Sequence, residues 1–373
     1  MKRLLSLVLA ATVITTIPAH AAAISAGQKC TKVNQKSTSG AKSFICTKSG
    51  SKLVWKALPA PTPKPTTAPA AAAPTTDPNL TGLWAKYSWK NKTRDAVITA
   101  STTAFTSYVA TKRSPNQVVT VLAQDGVDPT LKKWVQDGAT LVAQSFAYPA
   151  LKGPFYDVIA IDSAWLAKTY LSVGVSQQEV DGKVGAFNAG APAFGGTTNN
   201  TWNMTSITNN RLMINDKAGM AQTAGHEFYH AIQENMSKRN PGADGAIIPN
   251  WVWEGPATFV GLQAAAKMGA IDYTAEGRKA FIERYNNGNP INRTSALIEI
   301  KANDGKVDPY ALGFAASELL VANVGIEKFN AIYSQLGEGK SFADAFQGAT
   351  GVLLTDFYSM FEEVRGELGF PKS

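Results

Sequence analysis

His226, Glu227, Phe228, Tyr229 and His230 are consecutive in the chain. On a helix, residues four apart share one face, so the two imidazoles can converge on a single ion. Glu227 is rotated about 100° from His226, which aims its carboxylate at water beside the ion rather than at the ion itself. Two neutral nitrogen ligands with an adjacent carboxylate base form the His-Glu-x-x-His arrangement, whose chemistry is metal-assisted hydrolysis. The chain has three histidines, at positions 20, 226 and 230. Either of the last two taken singly reads as a packed core histidine. As a pair around a glutamate they read as ligands.

A catalytic metal needs a third protein ligand and an open position for water. No further histidine exists to supply it, and the metzincin extension is absent, with Gln233 where its glycine belongs and Met236 where its third histidine belongs. Asp244, in the segment NPGADG, is an acidic alternative, but a glycine-flanked loop is a poor place to preorganise a ligand. Glu254 in WVWEGPATFVG is the preferred third ligand. Its neighbours Trp251, Val252, Trp253 and Phe259 are those of a buried helix, and such a helix can run antiparallel to the first and deliver its carboxylate to the same point.

At these residues the chain resembles the gluzincin metallopeptidases, in particular the aminopeptidase-N-like superfamily (peptidase MA-like domains). Their second zinc helix typically reads Glu-Gly-Phe-Ala-Thr-Tyr, and Glu254-Gly255-Pro256-Ala257-Thr258-Phe259 is similar to it. The resemblance implies zinc as the cofactor, ligation by His226, His230 and Glu254, and a supporting role for Thr258. Pro309-Tyr310-Ala-Leu-Gly313-Phe314-Ala315 looks like the element that carries an oxyanion-binding tyrosine at a helix start, so Tyr310 joins Glu227 as an expected catalytic residue. Ser341 to Phe346, with Gly351 and Phe357, resembles the superfamily's helical tail. The likeness spans about residues 120–370. Three departures are visible. Twenty-three residues separate His230 from Glu254, Pro256 replaces an aromatic, and no Gly-x-Met-Glu-Asn motif is present. Between Asp181 and Asp216 there is no carboxylate to hold a substrate's free amine, which favours an endopeptidase over an aminopeptidase. The rival reading is a catalytically inactive zinc-binding or cell-surface adhesion protein of the same fold.

The elements needed to position these groups follow from pattern. Helices are predicted over about 83–111 and 128–146, a strand over 156–161, and a short helix over 163–171. Residues 184–214 are rich in Gly, Asn and Thr and read as strand-like pieces, with Arg211–Ile214 or the 189–196 segment as a substrate-pairing edge. A helix capped by Asn215 or Asp216 should run to about Ser237. After 250 nearly everything reads as helix. A mixed sheet-and-helix first half followed by a helical second half is an α+β, zincin-like (thermolysin-like) domain with its cleft between the two parts.

Before residue 79 the composition changes. Lys2 and Arg3 precede an apolar run over 4–17 and the small-x-small site Ala19-His20-Ala21, the pattern of a secretory signal peptide at 1–21. That run is shorter than the ~20 residues that span a bilayer, and no later stretch reads as a transmembrane segment. The only cysteines, Cys30 and Cys46, read as one disulfide closing a small basic module at 22–56 in a secreted protein. Residues 57–78 are a Pro/Ala/Thr linker, and 79–373 form the main domain. The net charge of +8 is unevenly spread. Two positive residues lie in the signal and seven lysines in the module, so residues from 79 onward stand at −1. Nucleic acid is not an expected partner of the main domain. A protein or peptide substrate is, and the module could meet an anionic cell-envelope polymer.

Overall fold

The computed structural model of the chain describes residues 25–39, 42–58, 80–151, 153–189, 193–198, 201–206, 217–238, 248–301 and 307–373. The signal segment, most of the linker, Arg211–Ile214, Asn215, Asp216 and Asp244 lie outside the described residues. The chain divides into two compact units, residues 1–74 and 75–373, and the architecture is mixed α and β with one disulfide, Cys30–Cys46.

The first unit is an antiparallel three-stranded sheet of β1 (Lys36–Ser39), β2 (Lys42–Ser49) and β3 (Lys52–Ala57). Strand alternation sends Phe44, Cys46 and Trp55 to one face, where they are buried against Cys30 and Leu53.

In the second unit β4 (Val119–Ala123), β5 (Phe155–Ile159), β6 (Ala193–Thr198) and β7 (Thr201–Ser206) form one sheet in the order β4-β5-β7-β6. The first three strands in that order are parallel, and β6 runs antiparallel at the edge. Phe155 and Ile159 of β5 join the main core on one face, while Val158 packs into a second cluster with Leu166, Tyr170, Val180 and Phe187 on the other. Continuous burial of this kind is expected of a parallel strand covered on both sides. The covering helices are α3 (Pro129–Ser145) on the main-core side, and α4 (Ser163–Ser172) and α5 (Gln177–Asn188) behind it. Sequence pattern missed β4 and α5. Helix α5 carries only a weak apolar stripe, although Ser176 caps it by accepting from Glu179 N–H.

The single helix expected over 83–111 is two. Helix α1 (Gly82–Tyr87) ends at Ser88, which adopts a left-handed conformation with φ 56°. Helix α2 (Arg94–Val109) starts after Thr93. The intervening turn is held from outside, because Asn91 N–H donates to Asn323 Oδ1 and Asn323 Nδ2 donates back to Asn91 O. A tertiary contact more than 230 residues away in sequence overrode the local helical pattern.

The helical half comprises α6 (Lys217–Ser237), α7 (Trp251–Lys267), α8 (Lys279–Asn287), the short α9 (Ile291–Thr294), α10 (Pro309–Gly337), α11 (Phe342–Thr350) and α12 (Leu354–Val364). Helix α10 bends at Gly325, whose φ of 81° and ψ of 165° suit glycine alone. By length and composition α10 could cross a membrane, contrary to the expectation that no later stretch would. In the fold 72% of its most apolar window is buried, which makes it the central core helix of this unit.

Candidate metal centre

Helices α6, α7 and α10 approach so closely because glycines face each other where they cross. A Cβ on Gly261 of α7 would stand 2.4 Å from the Gln222 carbonyl of α6, and one on Gly255 would stand 2.2 Å from the Gly313 carbonyl carbon of α10. Helices α6 and α7 run antiparallel: Gln222 and His226 meet Gly261 and Thr258, and Gln233 meets Val252 and Trp253. This register brings Glu254, in the first turn of α7, opposite the turn of α6 that carries both histidines. The Gly255–Gly313 crossing sets the start of α10 against the same spot. There Pro309 occupies the first helical position and Asp308 caps the helix by accepting from Tyr310 N–H at 2.9 Å.

His226, His230 and Glu254 therefore come together. The two Nε2 atoms are 3.0 Å apart, and Glu254 Oε2 lies 3.4 Å from that of His226 and 3.3 Å from that of His230. On the far side of each ring, Nδ1 of His230 donates to Gln233 Oε1 at 2.7 Å, and Nδ1 of His226 faces Thr258 Oγ1 at 3.4 Å. A proton on each Nδ1 leaves a lone pair on each Nε2. Three lone pairs then converge, and the buried Glu254 Oε2 receives no hydrogen bond. Such a cluster fits a cation. Donors bonded at ~2.0–2.1 Å around a tetrahedral ion stand ~3.3 Å apart, close to all three measured separations. The two-nitrogen, one-carboxylate set is also chemically suited to a borderline-soft divalent ion.

The electrostatics agree. Burial disfavours the charged form of His230, but the Glu254 carboxylate, aided by Glu227 and Gln233, outweighs it and raises the pKa to about 9. Burial likewise opposes ionisation of Glu254, and the two histidines outweigh it, holding the carboxyl well below the usual carboxylate range.

Two aromatic rings wall the cluster. Trp253 stacks on His230 with centroids 5.4 Å apart, and Tyr310 stacks on His226 at 5.9 Å. Burial, with the Glu254 and Glu227 carboxylates, pushes the Tyr310 phenol well above its ordinary value, so its hydroxyl stays a donor. Arg284 lies over the outer face of Tyr310 at 4.7 Å, with Nε donating to Asp308 at 2.5 Å. The charge of Glu227 is felt by His230 and Tyr310 and also by the buried Lys183 of α5. Burial lowers the Lys183 pKa, and Glu179 and Glu227 oppose that shift.

The residues singled out in the sequence thus meet: His226, Glu227, His230, Glu254, Thr258 and Tyr310. Three contributors were missed. Gln233 orients His230, Trp253 stacks on it, and Tyr333 completes a network with both. Gln233 Nε2 donates to Trp253 O and to Tyr333 Oη, whose hydroxyl donates to Val252 O at 2.7 Å. That carbonyl needs an outside donor because Pro256 lacks the N–H that would serve it. Pro256 sits at the sixth helical position, inside the helix, and the freed carbonyl is what ties α7 to Gln233 and Tyr333. Gln233, three residues after His230 on the same helix face, was the one legible signal. No family model, curated protein or solved structure matches this chain.

Proposed function

We propose that the chain is a secreted zinc metallopeptidase of the gluzincin type, with a zincin-like catalytic domain acting as an endopeptidase rather than an aminopeptidase. The observation that carries this reading is the convergence of His226, His230 and the unpartnered Glu254 oxygen, with Glu227 adjacent. A parallel sheet with an antiparallel edge strand, followed by helices that hold the ligands, supports the fold assignment. The signal-like start of the chain and its disulfide support export.

His226, His230 and Glu254 would hold the zinc ion, which when bound supplies a Lewis acid for the scissile carbonyl and makes water a nucleophile near neutral pH. Glu227 takes the proton of the attacking water and returns it to the departing amine. The protonated Tyr310 hydroxyl donates to the developing oxyanion, a contact worth about 3 kcal/mol in the transition state. Strand β6, at the sheet edge and in contact with α6, offers backbone groups to an extended substrate beside the ligand-bearing helix.

Glu227→Gln keeps the shape of the side chain and removes the base. The variant is expected to retain its metal, measured by elemental analysis, and to lose about 10²–10⁴-fold of its casein hydrolysis. Normal cleavage by a metal-loaded variant would remove Glu227 from the mechanism. Metal retention with no chelator-sensitive cleavage by the native chain would favour the inactive zinc-binding reading instead.

A further inference from the structure

The sheet of the first unit has two unlike faces. Strand register puts Lys36 opposite Ile45 and Ile45 opposite Lys56, while Lys29 bridges to Val54, the partner of Thr47. Lys52 is two residues before Val54, so strand alternation places it on this face too. Phe44, Cys46 and Trp55 alternate onto the opposite, buried face. Lys29, Lys36, Lys52 and Lys56 are all exposed, and Ile45, Thr47 and Val54 between them are only partly buried. Lys36 and Lys56 flank Ile45 from two sides at a backbone separation of about 10 Å. No acidic residue occurs between 22 and 76, and among the described residues no ion pair involves any of these four lysines. Four like charges gathered on one face without a counter-charge weaken a small sheet, which an anionic partner would reverse.

The chemistry of the face narrows that partner. Its cations are lysines, compact point charges suited to phosphate, and the module contains no arginine to make bidentate contacts with base edges. Its aromatic rings, Phe44 and Trp55, are on the buried face and unable to stack bases. The apolar side chains of the face, Ile45 and Val54, are partly buried between the lysines, and no aromatic ring of the sheet is on this face to enter a bilayer interface. We propose that it binds a linear polyphosphodiester without nucleobases, of the poly(glycerol phosphate) kind found in cell envelopes. The peptidase reading plays no part in this assignment.

The test is titration of residues 22–373, with the disulfide intact, against poly(glycerol phosphate). Single-stranded DNA and anionic phospholipid vesicles serve as competing probes. With four lysine contacts the affinity is expected to fall on the order of fifty-fold between 50 and 200 mM salt. Lys36→Gln combined with Lys56→Gln should weaken binding on the order of thirty-fold. Lys32→Gln combined with Lys48→Gln removes the same charge outside this face and should change it less than two-fold. Equal losses in the two variants would reduce the effect to net charge and overturn the proposal, as would tighter binding to DNA or vesicles, or no binding to the polymer. Unchanged circular dichroism and absence of free thiols check that both variants fold.

Discussion

At the scale of single residues, the centre is built around two protons that must sit on the outer ring nitrogens. Gln233 fixes one by accepting from His230 Nδ1. Gln233→Ala should leave the ligands present but free His230 to turn, with a loss of about 10–100-fold in metal affinity by competitive chelator titration. Acidity gives a second handle. His230 in the metal-free protein has a pKa raised to about 9, and only its neutral ring can bind an ion. Below that value each unit of falling pH should weaken metal binding about ten-fold, and above it the dependence should level off. The Glu254 carboxyl, held low, stays ionised throughout and adds nothing to that slope. A flat pH profile between 6 and 8 would mean that no proton is displaced from the site.

At the scale of elements, the site exists because helix pairs cross at glycines. Gly255 directly follows the candidate ligand Glu254, and its lack of a Cβ lets α7 meet α10 there. Gly255→Ala would drive a methyl group to 2.2 Å from the Gly313 backbone. That overlap should cost roughly 3 kcal/mol or more in thermal stability, with metal content falling in parallel as Glu254 and Tyr310 separate. Gly182→Ala, on the exposed surface of α5 where an added Cβ meets nothing within 4 Å, should instead stabilise by about 0.5–1 kcal/mol. The contrast separates packing from helix propensity. Pro256 belongs to this scale too, because the hydrogen bond it removes is replaced by Tyr333 from α10, which helps to clamp α7.

At the scale of the whole molecule, the two units draw stability from different sources. The second buries an extensive core around α10. The first buries little beyond Phe44, Cys46 and Trp55 and depends on the Cys30–Cys46 bridge, which spans 16 residues. A bridge closing a loop of that size contributes about 3 kcal/mol, so reduction should unfold the first unit, seen as loss of its β signal, while the metal content of the second stays unchanged. Loss of metal on reduction would tie the two units together energetically.

Sequence by itself determined that two histidines flank a glutamate one helical turn apart and that the two cysteines pair, because helical spacing and residue chemistry are local properties. It also indicated Glu254 and Tyr310, through the short strings around them. Tertiary structure alone decided that α1 and α2 are separate, that Trp253 and Tyr333 support the histidine cluster, and that Pro256 can lie inside α7. Each of those outcomes rests on contacts between residues 20 to more than 200 positions apart, where a partner's hydrogen bond or a glycine's missing side chain changes which local conformation is lowest in free energy.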